Sequence, residues 1–464
     1  MTIATPRDNL GEPYQAVIRI DDDTGQWCPK LSVLSQELQE RPDCPIIIDW
    51  TTIDPRDYET FPDPRAHAAL LLEHLHRWQE ISIYVNYMPL DCFSSIRGTA
   101  CRLETVLIEA PKSKFDAPQY SQHISYLWAK APKFRSYSIK HCNEYASRSQ
   151  EQMSALRLPY SNFTTLRIDT VLPLDECITI LAAAKQLLHC RFGSIAAPNT
   201  PPSTSRLIHQ SLQSLFIVSN WDDHVRDLKT FAHCLLNHVQ TPALRRLVVE
   251  NDSHWDPALF EQFVADSRCN LEALEFHMVK VHGHQLFATL RTYCPNIRVF
   301  KIYADKTQNP PPISRTAWER LRYEGDAQVF LPKLTLLFVN EEALVDAAYP
   351  DGELAAVVHS RLNKGLQVVW FQTDNKEKSL NACSLKNMFP PGDVRSHWDL
   401  KHLVIDEDAQ PEFWNDCVQE YMWPTGYGWR PPPWLDEEDM EDDEEMSSDS
   451  DEDNEDDTSD MDCD

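Results

Sequence analysis

Residues 158–170 read LPYSNFTTLRIDT, with Phe163, Leu166 and Ile168 at places one, four and six of a short run. A lone strand would have no relatives at a regular distance, whereas a strand of a repeat array would have many. The same apolar spacing recurs at Trp78/Ile81/Ile83, Leu103/Val106/Ile108, Phe134/Tyr137/Ile139, Leu187/Cys190/Phe192, Leu212/Leu215/Ile217 and Leu244/Leu247/Val249. It continues at Leu271/Leu274/Phe276, Ile297/Phe300/Ile302, Leu334/Leu337/Val339, Leu366/Val369/Phe371 and Leu400/Leu403/Ile405, with CPIIIDW at 44–50 as a degenerate earlier copy. First residues of neighbouring copies lie 24 to 37 residues apart, so the period is loose but spans nearly the whole chain.

Helical patterns lie between these runs. In PLDECITILAAAKQLL, Leu174, Cys177, Ile178, Leu181 and Leu188 fall on one helical face. WDPALFEQFVAD offers Asp256 as N-cap and Pro257 at the first helical position, then Leu259, Phe260, Phe263 and Val264 on one side. DDHVRDLKTFAHCLLNHV repeats the arrangement with Val225, Leu228, Ala232, Leu235 and Val239. Prolines mark the entries to several strands: Pro132, Pro159, Pro242, Pro295 and Pro332. A strand and a helix of this size cannot bury their apolar faces alone, and stacking of neighbours buries them. The expectation is an α/β solenoid over residues 41–415. An N-terminal segment or cap (1–40) precedes it, and a Pro/Trp-rich linker or cap (416–435) and an acidic tail (436–464) follow.

Composition bounds the chemistry. Only 11 glycines stand against 32 prolines among 464 residues, which disfavours glycine-rich phosphate loops. Net charge is −29, but residues 436–464 hold 19 acidic groups and no lysine or arginine. The body without them carries an ordinary −10. Neither that balance nor any basic stripe suits direct nucleic-acid binding. Thirteen cysteines contain no CxxC pair, and Cys177, Cys190, Cys234 and Cys294 have apolar neighbours, so reduced buried thiols in the cytoplasm or nucleus are expected. No signal pattern opens the chain, no apolar run is long enough to span a bilayer, and a monomer is expected.

The segments LPYSNFTTLRIDTVLPLDECITILAAAKQLLHCRFGSI, CPIIIDW, HLHRWQEISIYV and CNLEALEFHMVKVHGHQLFATLRTYCPNIRVFKI resemble, in their order, the irregular leucine-rich repeats of fungal F-box proteins. The resemblance covers about residues 40–410. It implies a horseshoe-like solenoid with a parallel concave sheet and helices on the convex side. It also implies a non-enzymatic protein-interaction role, with substrate receptor of a ubiquitin ligase as the family's version. An F-box pattern is not found before Cys44, and at the place of the usual turn asparagine only Asn220 and Cys142 fit, with Asp252, Asp305 and Asp408 as partial substitutes.

Alternation along each strand puts places three, five and seven on the open face. Arg167, Asp169, Glu250, Glu275, His277, Lys301 and Tyr303 make its centre polar, while Phe216, Leu336, Phe338, Val368 and Trp370 put apolar groups on it. Two readings stand. Another part of the chain, such as WPTGYGWRPPPW at 423–434, covers the apolar stretch, or the stretch is a partner-binding patch centred on Phe338 and Trp370, with Leu336, Val368, Tyr303, Lys301 and Phe216 beside it.

His74 with His76 and His282 with His284 lack a cysteine or carboxylate at ligand spacing. His141 and Cys142 are adjacent and diverge to opposite faces, and no GxSxG turn occurs. No cofactor is expected and the chain reads as no enzyme. Pro431–Pro433, between Trp429 and Trp434, suits a polyproline II ligand or a stiff end cap. In the tail, Ser448, Ser450 and Ser459 each precede an acid by three residues, the pattern of acidophilic kinases. The tail suits binding of basic proteins, an acidic-tail adaptor or chaperone role, or serves solubility.

Overall fold

The computed structural model describes residues 13–20, 26–50, 63–84, 92–93, 96, 98–110, 124–141, 156–193, 195–199, 205–218, 232–250, 255–279, 281, 283–304, 315–323, 330–344, 353–361, 364–373, 379–388 and 402–406. Fourteen strands form one sheet in chain order: β1 (Tyr14–Val17), β2 (Ile46–Trp50), β3 (Trp78–Tyr84), β4 (Thr105–Ala110), β5 (Ser136–His141), β6 (Thr165–Ile168) and β7 (His189–Phe192). They continue as β8 (Ser214–Val218), β9 (Arg246–Glu250), β10 (Ala273–His277), β11 (Val299–Tyr303), β12 (Leu336–Asn340), β13 (Val368–Gln372) and β14 (His402–Asp406). Every neighbouring pair is parallel, and the sheet stays open between its edge strands β1 and β14.

The helices between them are α1 (Leu31–Glu40), α2 (Arg65–Glu73), α3 (Leu174–Ala183), α4 (Ala232–His238), α5 (Pro257–Ser267), α6 (Gly283–Tyr293), α7 (Arg315–Leu321), α8 (Glu353–Arg361) and α9 (Leu380–Met388). No described helix is long and apolar enough to cross a membrane.

All the apolar copies found by spacing are strands, and the spacing also sets their pairing. Place four of each copy meets place four of the next: Tyr137, Leu166, Cys190, Leu215, Leu247, Leu274, Phe300, Leu337, Val369 and Leu403 align across β5 to β14. A one-residue slip would turn all of these to the opposite face, so burial of the row from Tyr137 to Val369 pins the register. With place six of the same strands, it merges with the buried faces of the helices into one core. Each such side chain contributes on the order of 1.5–3 kcal/mol on burial.

Before several strands the same tight turn closes by a hydrogen bond from the amide of place one. Phe134, Leu187, Leu244, Ile297 and Leu334 donate to the carbonyls of Ala131, Ala184, Thr241, Cys294 and Leu331. In four of these turns a proline (132, 242, 295 or 332) sits at the second position, where its fixed φ suits a type I turn. Helix α5 starts as expected: the Asp256 carboxylate accepts from the amides of Ala258 (2.8 Å) and Leu259 (3.4 Å). Helix α3 ends at Ala183, so Leu188 lies outside it, and Ile180 takes the buried place expected of Ile178.

The sheet begins earlier than the periodicity indicates. Tyr14–Val17, inside the segment read as a cap, pairs with Ile46–Asp49. Its four residues are too short to show the repeat template.

Two buried arginines tie successive units together. Arg77 donates from Nε to the Cys44 carbonyl (2.9 Å), from Nη1 to that of Leu38 (3.1 Å) and from Nη2 to that of Arg41. Arg361 donates from Nε to the Leu321 carbonyl (2.5 Å), from Nη1 to that of Leu331 (3.0 Å) and from Nη2 to that of Phe330. In both cases one guanidinium fork satisfies carbonyls at the end of the preceding helix and in the turn before the preceding strand.

A candidate interaction surface on the second face of the sheet

Places three, five and seven form the face opposite the helices. Strands β6 and β8 to β13 are buried on both faces rather than alternating, β7 is so except at Arg191, and β2 alternates. Of the two readings of the apolar stretch, the open patch is corrected, and burial matches a covered one. Phe216, Lys301, Leu336, Phe338, Val368 and Trp370 are all buried, none above 4% exposed, and Tyr303 is half-buried. None of the buried apolar members joins the core built with the helices, so they form a second layer. From β6 to β13, openness lies at Arg191 and at place seven, at the C-terminal ends of the strands, where Asp169, Val218, Glu250, His277, Tyr303 and Gln372 are partly exposed.

Within this layer, neighbouring strands build a continuous ladder of contacts. Arg167 Nε lies 2.5 Å and Arg191 Nε 3.1 Å from the two Asp169 carboxylate oxygens, and Arg191 Nη2 lies 3.4 Å from Glu250. Two strands on, Arg246 Nε donates to Glu275 at 2.7 Å, both side chains being at most 3% exposed. Register places Ala273, not a large residue, opposite Arg246, which gives the guanidinium room to lean diagonally to Glu275. Arg246 also lies over the Phe216 ring at 4.8 Å, and Lys301 Nζ over the Phe338 ring at 4.8 Å. The ladder ends in rings: Tyr303 to Phe338 at 6.5 Å and Phe338 to Trp370 at 5.5 Å between centroids.

Gly193 makes the ionic end of the ladder geometrically feasible. Its amide donates to the Ile168 carbonyl at 2.7 Å, and a Cβ there would stand 2.7–2.9 Å from backbone atoms of Asp169. The absence of a side chain lets the two backbones approach and sets the Asp169 carboxylate between Arg167 and Arg191.

The charges of this layer are settled by burial and neighbours. Burial raises the Asp169 carboxyl, but Arg167 and Arg191 outweigh it and hold the group below its ordinary value. Burial, then Arg246, pushes His189 down to about 4. Burial, then Lys301, Arg191 and Arg246, holds His277 well below the usual imidazole range, so its 4.0 Å approach to Glu250 is not an ion pair at neutral pH. Both folded histidines thus bind fewer protons than the unfolded chain, whose imidazoles titrate near about 6.5. Stability is expected to fall as pH drops below that value, by about 1.4 kcal/mol per pH unit per histidine, with His189's share ending near its folded value of about 4. Urea midpoints between pH 7 and pH 5 test this. The double substitution His189→Gln with His277→Gln flattens the slope, and an unchanged slope contradicts the assignment. Asp169 acts in a lower window: its contribution is present above the unfolded carboxyl pKa and is lost as pH falls through the depressed folded value.

The Asn340 amide, assigned by spacing to the open face, is buried: its Oδ1 accepts from Ala304 N (2.9 Å) and Ala343 N (3.2 Å), and its Nδ2 donates to the Ala304 carbonyl (2.7 Å). It performs the turn-binding task sought at Asn220, Cys142, Asp252, Asp305 and Asp408, which lie outside the described residues. Its signal in the sequence is an asparagine directly after the place-six Val339. Burial pushes the Cys177 and Cys190 thiols well above their ordinary value, and those of Cys269 and Cys294 up to about 12, so these thiols keep their protons at neutral pH. Cys234 is half-buried against the core. His74 meets Arg77 at 3.3 Å, and no group of metal-ligating side chains converges among the described residues. Asp21–Asp23, His282, Cys142, the 416–435 segment and the tail with Ser448, Ser450 and Ser459 lie outside the described residues, and the side chains of His141 and His284 are likewise not described. No protein-family model matches this chain, and no curated protein matches it significantly.

Proposed function

We propose that the chain is an irregular leucine-rich-repeat-like solenoid that serves as a protein-interaction scaffold. The observation that carries this reading is the run of contacts from Arg167 to Trp370 on the face away from the helices, which passes through Asp169, Arg191, Glu250, His277, Tyr303 and Phe338. It joins fixed charges, rings and a partly open row at the strand ends. Fourteen parallel strands in chain order support the solenoid form, since each unit then contacts its neighbours and one long face stays in register. A surface of buried, prealigned charge and aromatic groups suits specific recognition of a protein segment, because little ordering entropy remains to be lost on binding. The resemblance to F-box/leucine-rich-repeat chains gives this role its narrower form, a substrate receptor of a ubiquitin ligase in the cytoplasm or nucleus.

The test is affinity purification with mass spectrometry, comparing the unaltered chain with Tyr303→Ala and Arg191→Ala. Both residues keep partial exposure, and circular dichroism verifies that both variants fold. Proteins enriched by the unaltered chain are expected to fall by about tenfold with each variant, the size of a lost interface anchor. An unchanged partner set overturns the reading. Loss of a salt-sensitive set of basic proteins only on deletion of 436–464 supports an acidic-tail adaptor instead.

A further inference from the structure

The second face presents a burial problem. Leu336, Phe338, Val368 and Trp370 are each no more than 1% exposed, yet none belongs to the core shared with the helices. On a sheet, side-chain neighbours along and across the strands flank a ring but leave its tip open, so such complete burial requires a layer above it. The buried side chains of the described helices pack to the other face.

We propose that this face is a docking site for the chain's own residues 416–435. Reach favours them. They follow β14, the strand beside the one that bears Trp370. Strands are spaced by about 4.8 Å, so β12 lies about 10 Å from β14. An extended linker between Asp406 and Trp423 spans several times that distance. Chemistry favours them too. The segment carries Trp423, Trp429 and Trp434 around Pro431–Pro433, and polyproline stretches dock between aromatic rings. Tyr303, Phe338 and Trp370 supply three such rings on successive strands. The scaffold then carries an internal ligand, and a partner that enters the aromatic strip displaces it. This rests on reading the second face as a binding surface, but not on any partner's identity.

Hydrogen exchange on the full chain tests the docking without a partner, so its failure is distinct from failure of partner capture. Amides within 416–435 are expected to exchange at least about tenfold more slowly than in a synthetic peptide of the same sequence, at every protein concentration. Peptide-like rates overturn the proposal, and so does protection that vanishes on dilution, which assigns the cover to a second copy. In the variant combining Trp423→Ala, Trp429→Ala and Trp434→Ala, hydroxyl-radical labelling of Phe338 and Trp370 is expected to rise several-fold, while circular dichroism stays that of the unaltered chain. Unchanged labelling means that another segment covers the face, and that also overturns it.

Discussion

Replacing Arg361 by alanine is expected to destabilise the C-terminal half of the sheet by about 3–5 kcal/mol, the range of lost buried charged networks. The guanidinium is 2% exposed and satisfies three carbonyls, of Leu321, Phe330 and Leu331. Burial draws its pKa down to about 10, still far enough above neutrality to keep the charge. Alanine removes one donor from each of the three carbonyls, with that of Leu331 keeping its bond from the Leu334 amide, and opens a cavity the size of the side chain. Lysine is expected to recover only part of the loss, because one ammonium cannot reproduce the planar fork. Urea unfolding monitored by circular dichroism measures the effect, with hydrogen exchange locating it, since repeat arrays need not unfold as one unit. A shift below about 1 kcal/mol shows that the fork is not an essential tie. Arg77 holds the N-terminal units by the same device, so Arg77→Ala should act alike at the other end of the sheet.

The second large effect is expected at the Arg246–Glu275 pair. Glu275→Ala leaves a guanidinium in place whose side chain is 3% exposed, without the carboxylate 2.7 Å away, and should cost about 3–5 kcal/mol. Combining Arg246→Met with Glu275→Leu removes both charges, keeps volume near that of the pair and is expected to return stability to within about 1 kcal/mol of the unaltered protein. Stacking of Arg246 on Phe216 is lost in the double variant, which sets the size of the remaining deficit. A double-mutant cycle of unfolding free energies measures the coupling. If the single and double variants are equally destabilised, burial of the uncompensated charge is not the cause.

Much of the architecture is legible in residues 158–170 and their relatives. Phe163, Leu166 and Ile168 are fully buried, and the turn closing on Phe134, Leu244, Ile297 and Leu334 recurs with its prolines. Periodicity exposes this because the core imposes the same demand on every unit. The short edge strand Tyr14–Val17 escapes detection, having no apolar triplet of that spacing. The candidate surface is legible only as a set of positions. Alternation correctly assigns Arg167, Lys301, Phe338 and Trp370 to the face away from the helices, but implies exposure where the structure has burial.

The ties between units are hidden for a different reason. An arginine in the last turn of a helix, such as Arg361, looks in sequence like an ordinary solvent-facing cation that complements the helix dipole. Nothing in the local pattern marks the three carbonyls that meet it from residues 321–331. Gly193 and Asn340 are similar: each is defined by the backbone of the preceding unit, at Asp169 and Ala304 respectively.

By itself, then, the sequence of this protein determined the strand–helix unit, the number of recurring strands from Ile46 onward and the register of their place-four row, because each follows from local apolar spacing and the demand for one buried face. Tertiary structure alone decided which charges are paired, which rings meet across strands and that the second face is buried. Many of those outcomes depend on neighbours distant in the sequence, as in Arg191 with Asp169 and Arg361 with Leu321, and on what lies above the sheet. Hydrophobic periodicity records how a strand faces its own core; it carries no record of what covers the other side.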